Sequence, residues 1–441
     1  MTTETTAFHY RIFNATTEVP ENEWNSVQQC VGDTFSDLRF IRVVESTMAA
    51  DTCCWPVIFY DGDRPVAISC ITRYRADAGI LTEGIVQKLI GTVREFLPSF
   101  LHLKIVFAGL PISAGQRGLL ILQDTDHEAV VQMMDCALQD IAGRESAALI
   151  VLKEFENSDS SWTDQFSREL RYHKADSLPM NRLEPAFESF DAYLAARSAR
   201  SRSSIRQSLR KLREAGCHVV QIPGGPEAIE RFTDEAHRLY LEVREKSPAK
   251  LETAPVAFFH ELSRQMGDSA HFTFIYQAER IVGVSCSLKY GNSYQLLFCG
   301  IDYAINDQAH LYFNVMFADM DYGLRQNVAR INFGQTSDSF KVRLGCKQVP
   351  LNIYVKGRRI FRPLLWLIRP FVLPPIALLP PIETFSKKRP NASKQTPRDQ
   401  PRSGNKLSPR EQNSPRDQRP RDQKSHQSKD LSFNNCPSDH P

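Results

Sequence analysis

The 441-residue chain lacks a strong excess of charge of either sign, because 54 lysine and arginine residues face 51 aspartate and glutamate residues and leave a net charge of +3. So balanced a chain has no overall electrostatic attraction for nucleic acid, and any basic function must be local. The ten cysteines show no metal-ligand spacing, and several, such as Cys70 and Cys299, stand inside apolar runs. This usage is typical of buried free thiols in a reducing compartment.

Two further features are missing. The first residues contain no charged segment followed by an apolar one, so the sequence gives no secretory signal and predicts a cytoplasmic protein. The most apolar stretch, 358–381, is interrupted by Arg362, Arg369 and several prolines, which excludes a membrane span. It fits either an interfacial segment at the inner membrane leaflet or an arm packed across two domains.

The rest of the composition is that of a globular protein with a tail. Hydrophobic residues make up 42% of the chain, which predicts a real core, and the length allows two or three domains. From Phe385 onward hydrophobic residues become rare, and a Pro-Arg-Asp/Glu-Gln motif recurs from Pro397 to the copy at Pro420. Such a segment cannot bury a core, so we predict that 385–441 is disordered.

Hydrophobic periodicity and turn residues predict two sets of elements in the same order. The first set is a hairpin around Asp61-Gly62, a helix, a strand, a helix and a strand, at 55–74, 82–97, 103–109, 126–142 and 147–155. The second set begins with two helices and continues with a hairpin, a strand, a helix and a strand, at 226–244, 256–266, 271–290, 294–301, 308–326 and 329–333.

The two sets indicate an internal duplication. Residues 60–74 align without a gap on 276–290, with Tyr, Arg, Val, Ser, Cys and Tyr recurring at the same places, and 107–109 resembles 298–300. Chance similarity between two hairpins is the alternative for the first match. The shared order of elements favours two related α/β domains.

A basic segment at 195–216 lies between the two sets. It carries seven basic residues before its first acidic one, Glu214, and places Ile205, Leu209 and Leu212 at helical spacing. We predict an amphipathic helix that ends at Gly216. It is a solvated helix packed on one domain, a phosphate-binding helix or a nucleic-acid patch, and the sequence leaves the three open.

The stretch 331–346 is the strongest candidate for chemistry. A short strand breaks at Gly334, a polar loop of Gln335 to Asp338 follows, and a cationic turn with Lys341 and Arg343 ends the segment. It is either a surface turn between two strands or a site at a strand end, where α/β folds often place chemistry.

These motifs resemble a known family. A basic helix with Ile205-Arg206 and Leu209-Arg-Lys-Leu leads into a domain that ends in Phe333-Gly334, a polar loop and Phe340-Lys-x-Arg. This resembles the GNAT acyltransferases with tandem domains, which are related to the Fem-type aminoacyl transferases of peptidoglycan synthesis and to acetyltransferases of exopolysaccharide gene clusters. Asn332 stands where the family usually has an acidic residue, Thr336 where it has a second glycine, and the glycine-rich turn before the preceding helix is missing.

The resemblance implies an α/β (α+β) fold with two tandem GNAT-like domains, each a mixed, mostly antiparallel twisted sheet flanked by helices. We place the N-terminal domain at 1–180, the basic linking helix at 190–216, the C-terminal acyltransferase domain at 217–360, an apolar proline-rich arm at 361–384 and the tail at 385–441.

For function, the resemblance implies an N-acyltransferase that moves an acyl group from acetyl-CoA or a longer acyl-CoA, without a metal, to an amine of a small molecule or envelope precursor. The alternatives are a Fem-like aminoacyl transferase that uses charged tRNA and a non-catalytic GNAT-fold envelope protein with a peripheral membrane contact through 358–381.

The implied site lies in the C-terminal domain. The proton-handling candidates are Asp302, Tyr303, His310 and Asp338. The cofactor pyrophosphate is expected at a helix N-terminus formed by Asn306, Gln308, Ala309 and His310, with Asp307 as the N-cap. The substrate-binding candidates are Arg206, Arg210, Gln335, Lys341 and Arg343.

Overall fold

The structure is a computed structural model that describes residues 8–77, 102–247, 253–359, 361–380, 382 and 385. The predicted helix at 82–97 and the predicted tail after Phe385 lie outside the described residues. Residues Met1–Ser386 form one compact unit.

Most of the described chain is regular. The strands are β1 (Phe8–Ile12), β2 (Thr52–Asp61), β3 (Arg64–Asp77), β4 (His102–Ala108), β5 (Leu120–Ile121), β6 (Leu149–Glu156), β7 (His173–Leu183), β8 (Cys217–Pro223), β9 (Ala270–Gln277), β10 (Arg280–Tyr290), β11 (Ser293–Ile301), β12 (Arg330–Asn332) and β13 (Lys347–Gly357). The helices are α1 (Glu21–Val31), α2 (Leu38–Thr47), α3 (His127–Arg144), α4 (Ser160–Thr163), α5 (Gln165–Arg168), α6 (Phe190–Ala196), α7 (Ala199–Glu214), α8 (Pro226–Arg231), α9 (Asp234–Lys246), α10 (Val256–Met266), α11 (Tyr303–Ala309), α12 (Leu311–Arg325), α13 (Asp338–Arg343) and α14 (Phe361–Val372).

One mixed sheet runs through both halves, in the order β1-β2-β3-β4-β6-β13-β7-β12-β11-β10-β9-β8, with β5 beside β3. Each half contains four antiparallel strands followed by one parallel strand. In the first half β6 is parallel to β4, and in the second half β12 is parallel to β11. The helices α3 and α12 precede these parallel strands, so the predicted mixed, mostly antiparallel fold in two related halves is confirmed.

The duplicated hairpins share their register. Phe59 pairs with Ala67 in β2–β3, and the aligned residues Ile275 and Gly283 pair in β9–β10, with a register shift at the same place. The turn residues Gly62 and Ala278 both have positive φ. The second sequence match does not hold, because Thr72 pairs with Phe107 whereas its counterpart Leu288 pairs with Gln295, not with Phe298.

Two strands cross between the halves. β13, which follows the second half in sequence, lies between β6 and β7, and β7, which precedes the basic helix, pairs with β12. Neither strand is predicted from the sequence. Each half therefore completes its sheet beside a strand from the other.

A shared core joins the halves on one face of the sheet. It combines residues of α1 and α2 with residues of α8, α9 and α10, and Phe40 of α2 meets Phe258 of α10 edge to face at 6.1 Å. Burial of this much apolar surface is the main force that holds the two halves together.

Three predicted elements differ from the structure. The helix at 226–244 is interrupted at Phe232 and Thr233, and the helix at 308–326 is interrupted at His310, whose φ of 50° is left-handed. The predicted cationic turn is the helix α13, in which Lys341 and Val342 are buried. The apolar periodicity continues across both interruptions. A pattern of this kind therefore cannot predict the one or two residues at which the backbone leaves helical geometry.

Within the described residues no helix combines the length and the apolarity that a membrane crossing requires. The nine described cysteines are all free thiols.

Candidate active site

The central feature of the site is a gap between two parallel strands. β11 and β12 pair only from Ser293 with Arg330 to Gln295 with Asn332. After these pairs β11 continues to Ile301, whereas the chain after Asn332 turns toward β7, where Phe333 N–H donates to the Asn181 carbonyl. We call the space between 296–301 of β11 and 333–334 the strand gap. Leu297, Phe298 and Cys299 remain partly exposed there, although β11 lies inside the sheet.

The corresponding place in the N-terminal half is closed. There the loop after β4 returns along β6, where the Gly118 N–H donates to the Lys153 carbonyl. The Lys153 ammonium binds the carbonyls of Leu110 at 2.9 Å and Ser113 at 2.8 Å. Among the described residues, the place in the C-terminal half keeps a strand edge without a backbone partner, and the candidate site is therefore described there.

Lys341 of α13 lies at the strand gap. Its side chain is 3% exposed, and a Cβ added at Gly334 would lie 3.7 Å from its Nζ. Burial lowers the pKa of the ammonium to about 8, while the neighbouring thiols of Cys299 and Cys346 and the Asp338 carboxyl act in the opposite direction. No ion pair to Lys341 occurs within the described residues. A buried cation without an ion-pair partner is costly and attracts an anion or a carbonyl oxygen.

The loop that carries α13 is fixed from β7 and β6. The buried Asn181 donates from Nδ2 to the Gly334 carbonyl at 3.0 Å and to Asp338 Oδ1 at 2.6 Å. Gln335 donates to Glu154 Oε1 at 2.8 Å and to the Leu178 carbonyl at 2.8 Å. Gln335 thus ties the loop to the N-terminal half, and Asp338 stands at the start of α13 near Lys341.

The basic helix α7 meets the start of α12. Lys211 Nζ donates to His310 Nε2 at 2.9 Å, and Ser208 Oγ lies 2.9 Å from His310 Nδ1. Burial and the Lys211 ammonium lower the pKa of His310, which is therefore neutral, with its proton on Nδ1. The lone pair that a base would use is engaged by Lys211.

The N-terminus of α12 differs from the expectation in one respect. Asp307 does not cap it, since the residue before the helix is His310 and the side chain that serves the first turn is Asn306, whose Oδ1 accepts the Tyr312 N–H at 3.1 Å. Phe340 of α13 stacks on Phe313 of the same turn, with 4.6 Å between ring centroids. The amides of this turn are therefore partly covered.

The other predicted residues lie around this centre. Asp302 caps α11 through the Ala304 N–H at 2.8 Å and forms an ion pair with Arg280, and the ring of Tyr303 lies 3.2 Å from Lys246 Nζ. Gln308 is exposed and Ala309 is buried, both at the end of α11. Arg206, Arg210 and Arg343 are exposed, and the first two lie on the face of α7 opposite to Ser208 and Lys211. The structure therefore brings Asn306 to His310 and Asp338 to Lys341, and the contact between Phe340 and Phe313 joins the two segments.

Comparison with known proteins gives a family match. Residues 199–342 match the family model described as an acetyltransferase (GNAT) domain. The chain therefore contains a segment that is similar to a GNAT acetyltransferase domain. No curated protein has a sequence that matches this chain.

Solved structures agree at the level of fold. The chain is similar to FemX, with a TM-score of 0.51 and 12% identity over 81% of this chain and 99% of that one. Weaker similarity extends to L-PGS from Bacillus licheniformis (TM-score 0.46, 12% identity, 80% and 97% covered) and to a tandem GNAT protein from the clavulanic acid pathway (TM-score 0.47, 11% identity, 80% and 98% covered). At such low identity the likeness to FemX shows the fold alone.

Several residues of the site have no distinct signal in the sequence. Asn181 stands on an unpredicted strand, and Ser208 and Lys211 are two among many polar residues of a basic helix. Ser208 is three residues from the buried Ile205 and four from the buried Leu212, and Lys211 is three residues from Ser208, which places both near the packed face of that helix. This spacing is the feature of the sequence that indicates their contact with another element. Within the described residues no cluster of three potential metal ligands occurs.

Proposed function

We propose that this protein is an N-acyltransferase that uses acyl-CoA, and that its C-terminal half carries the active site. The observation that carries the proposal is the strand gap between β11 and β12 with the buried Lys341 ammonium beside it. A free strand edge offers backbone groups to an extended ligand such as a pantetheine arm. Lys341 offers a positive charge to the oxygen that becomes negative when an acyl carbon is attacked.

The reaction proposed is attack of a neutral amine on the thioester carbonyl carbon. A carbon–nitrogen bond forms, the carbon–sulfur bond breaks, and the amine proton leaves by way of the protein or water to give an amide and free CoA thiol. Asp338 is the proposed proton-handling group, because it lies at the first turn of α13 near Lys341. Asp302 and Tyr303 stand at the start of α11, where Asp302 already serves as a helix cap and ion-pair partner.

We place the phosphates of the donor at the start of α12. Lys211 supplies the charge, and the helix supplies partial positive charge and amide donors. Asn306 and His310 border this position, with Gln308 and Ala309 on the adjoining turn. Arg343 and Gln335 flank the acceptor side of the gap in this proposal, and the acceptor is an amine of a small molecule or of an envelope precursor in the cytoplasm.

Thermal unfolding of the full chain with acetyl-CoA and longer acyl-CoA tests the proposal. A ligand that binds the folded state at 100 times its Kd adds about 2.7 kcal/mol of stability, which gives a clear rise in Tm. We expect such a rise with acyl-CoA and a smaller one with adenosine alone. No rise with any acyl-CoA would reject the proposed donor.

A second candidate is a Fem-like aminoacyl transferase that uses charged tRNA. The exposed face of α7 favours it, since Arg202, Arg206 and Arg210 line one shallow depression there. We expect tRNA binding to weaken as the salt concentration rises, because each arginine that neutralises a phosphate releases a counterion on binding. Replacement of Arg206 and Arg210 by alanine removes two such contacts and should weaken tRNA binding further. Equal tRNA binding by wild type and this double variant would speak against the tRNA donor.

A third candidate is a non-catalytic envelope protein. The observation that favours it is the partial cover on the first turn of α12 by Asn306 and Phe340. Absence of ligand-induced stabilisation with both acyl-CoA and charged tRNA would favour this candidate over the two enzymes.

We also propose a peripheral membrane contact through 358–381. Trp366 is 67% exposed and Leu367 65% exposed, and the segment carries four arginines and no acidic residue. Exposed aromatic and aliphatic side chains near arginines suit the boundary of an anionic bilayer. In a liposome flotation assay, we expect the wild-type protein to float with the vesicles and the Trp366→Ser/Leu367→Ser variant to stay at the bottom of the gradient. The matched control variant Leu178→Ser/Val219→Ser should float like wild type.

A further inference from the structure

A polar cavity of about 60 Å³ lies between the two halves. It lies on the face of the sheet opposite to α12, because Ser293 and Gln295 alternate along β11 with Tyr294, whose ring packs 5.7 Å from Tyr322 of α12. Both halves contribute side chains, and those with hydrogen-bonding groups include Arg117, Arg182, Arg330, Asn332, Ser293 and Gln295.

Two of the three arginines are held by carboxylates. Arg182 forms an ion pair with Glu156 at 2.9 Å and donates from Nε to Asn332 Oδ1 at 3.0 Å. Arg117 lies 3.2 Å from Asp159. These contacts fix both guanidinium groups at the cavity and leave part of their donor capacity unused, since each guanidinium has five N–H groups.

Arg330 is the exception. Its Nε donates to Ser293 Oγ at 2.7 Å, and within the described part of the chain it forms no ion pair. Burial first and the nearby Arg182 second lower the pKa of Arg330. The carboxylates of Glu156 and Asp33 act in the opposite direction. Arg330 is exposed as a residue and lines the cavity, and no hydrogen bond or ion pair within the described residues engages its terminal nitrogens.

The remaining acidic group of the cavity is already used. Asp33 Oδ1 accepts the N–H groups of Phe35 at 2.8 Å and Ser36 at 3.2 Å and so caps the short turn that forms one wall. Burial raises the pKa of Asp33 to about 6, so most of its charge remains at pH 7. Asp33 therefore offsets part of the positive charge of the cavity, whose lining has three arginines and the two carboxylates of Asp33 and Glu156.

We infer that this cavity binds a carboxylate or phosphate group of the acceptor, with Arg330 as its main ligand and Arg117 and Asn332 beside it. The statement that the ligand is the acceptor rests on the proposed transferase function. Binding of the anion to the cavity does not require that the protein be an enzyme. Guanidinium groups are the side chains best suited to paired oxyanion oxygens, and a volume of this size holds one such group.

The position of the cavity restricts the acceptor. Gln295 borders the cavity and Cys299 borders the strand gap, and four residues of a strand span about 13 Å. An acceptor that reaches both sites must carry its acidic group about 13 Å from its amine. Elongated amines with a distal carboxylate or phosphate fit, and small amines without an acidic group do not.

The test is a titration of the full chain with inorganic phosphate and, separately, with acetate, followed by thermal unfolding and by 31P line broadening for phosphate. We expect saturable binding that is at least tenfold weaker in Arg330→Gln, partly retained in Arg330→Lys, and unchanged in the exposed control Arg238→Gln. Acetate or phosphate as the tighter ligand identifies the class of acidic group.

Phosphate binding at other basic sites of the chain must be distinguished from binding in the cavity. Phosphate binding that is equal in wild type and Arg330→Gln overturns the inference, and so does binding that disappears only in Lys211→Ala or in the Arg206→Ala/Arg210→Ala variant. Loss in Arg330→Gln with acyl-CoA stabilisation intact supports it. Loss in Arg330→Gln in a protein that binds no acyl-CoA upholds the anion site and rejects only the proposed donor.

Discussion

At the scale of single residues, Lys341 is the group whose surroundings are most unusual. It is buried without an ion pair among the described residues, and burial lowers its pKa to about 8. A cation in such a place reduces stability, and natural proteins retain such groups mainly where they act. The predicted motif Phe340-Lys-x-Arg pointed to this lysine, but not to its burial.

We expect Lys341→Met to stabilise the free protein and to abolish acyl transfer. Removal of the desolvated ammonium should raise the free energy of unfolding by roughly 1–3 kcal/mol, because a similar apolar chain fills the same space. Chemical denaturation measures the first effect and a product assay the second. The exposed Lys347→Met is the control, and a less stable Lys341→Met would contradict the argument.

The pH dependence of turnover distinguishes two roles for this lysine. If the ammonium stabilises the oxyanion, wild-type kcat falls as the pH rises through about 8, because the pKa of Lys341 lies there. Lys341→Arg, which stays charged, should then show residual activity without this fall. Activity that instead rises through pH 8 would make Lys341 a proton acceptor.

Asp319 of α12 and His271 of β9 form a second buried polar pair. Asp319 Oδ1 accepts from Thr273 Oγ1 at 2.9 Å and lies 4.0 Å from His271 Nδ1. Burial raises the pKa of Asp319 to about 7 and lowers that of His271 to about 3. His271 is therefore neutral near pH 7, whereas Asp319 is about half ionised there and becomes neutral at lower pH.

The two shifts affect stability in opposite pH ranges. Asp319 keeps its proton in the folded state, so its contribution to stability is present below about pH 4 and is lost as the pH rises toward 7. His271 contributes above about pH 6.5, and this is lost as the pH falls toward 3. We expect Asp319→Asn to gain stability relative to wild type between pH 4 and 7, by up to about 4 kcal/mol. Urea denaturation at several pH values measures it, with the exposed Asp321→Asn as control, and parallel pH profiles would contradict it.

At the scale of elements, α7 has two different basic faces. Ser208 and Lys211 face the start of α12 through His310, whereas Arg206 and Arg210 face away from it. The sequence predicted the helix and its charge and left its role open. Helical spacing alone cannot tell which basic residues meet another element, since that depends on where α12 begins.

We expect Lys211→Ala to weaken acyl-CoA binding about tenfold, which corresponds to about 1.4 kcal/mol, because one phosphate contact at a helix N-terminus is removed. Calorimetric titration with acetyl-CoA measures the change. The exposed Arg213→Ala on the same helix should bind like wild type. Equal affinities of Lys211→Ala and wild type would move the donor phosphates away from this helix.

At the scale of the whole molecule, the exchange of β7 and β13 makes the two halves interdependent. β13 pairs with both β6 and β7, and α2 and α10 share one core across the halves. Neither half, separated along the chain, keeps the strand that its sheet edge requires. An uncovered edge of this kind is prone to aggregation.

We expect the chain to unfold in one cooperative transition, despite its two domains. Calorimetry should give a single peak whose van't Hoff enthalpy equals the calorimetric one, because the halves cannot unfold independently. Gly118→Val in the first half and Gly300→Val in the second should lower the Tm of the whole transition, since a Cβ there meets backbone at 2.4 Å in each case. Two resolved transitions that respond separately to these variants would contradict the interdependence.

The sequence by itself determined the local and repeated features of this protein. The hairpins, the helix Val256–Met266, the basic helix and the duplicated order of elements all follow from patterns within a few dozen residues, where periodicity and turn chemistry act. The loop of Gln335 to Asp338 also follows from the local motif, which singles out Lys341 as a candidate site residue.

Only the tertiary structure decided what these features do. It placed β13 between β6 and β7, opened one strand gap while Lys153 closed its counterpart, and assembled Arg117, Arg182 and Arg330 from distant parts of the chain. Such outcomes depend on which strand edges pair and on which charged groups are desolvated. Both depend on contacts between residues that are far apart in sequence. Local patterns therefore predicted the elements, and long-range packing created the sites between them.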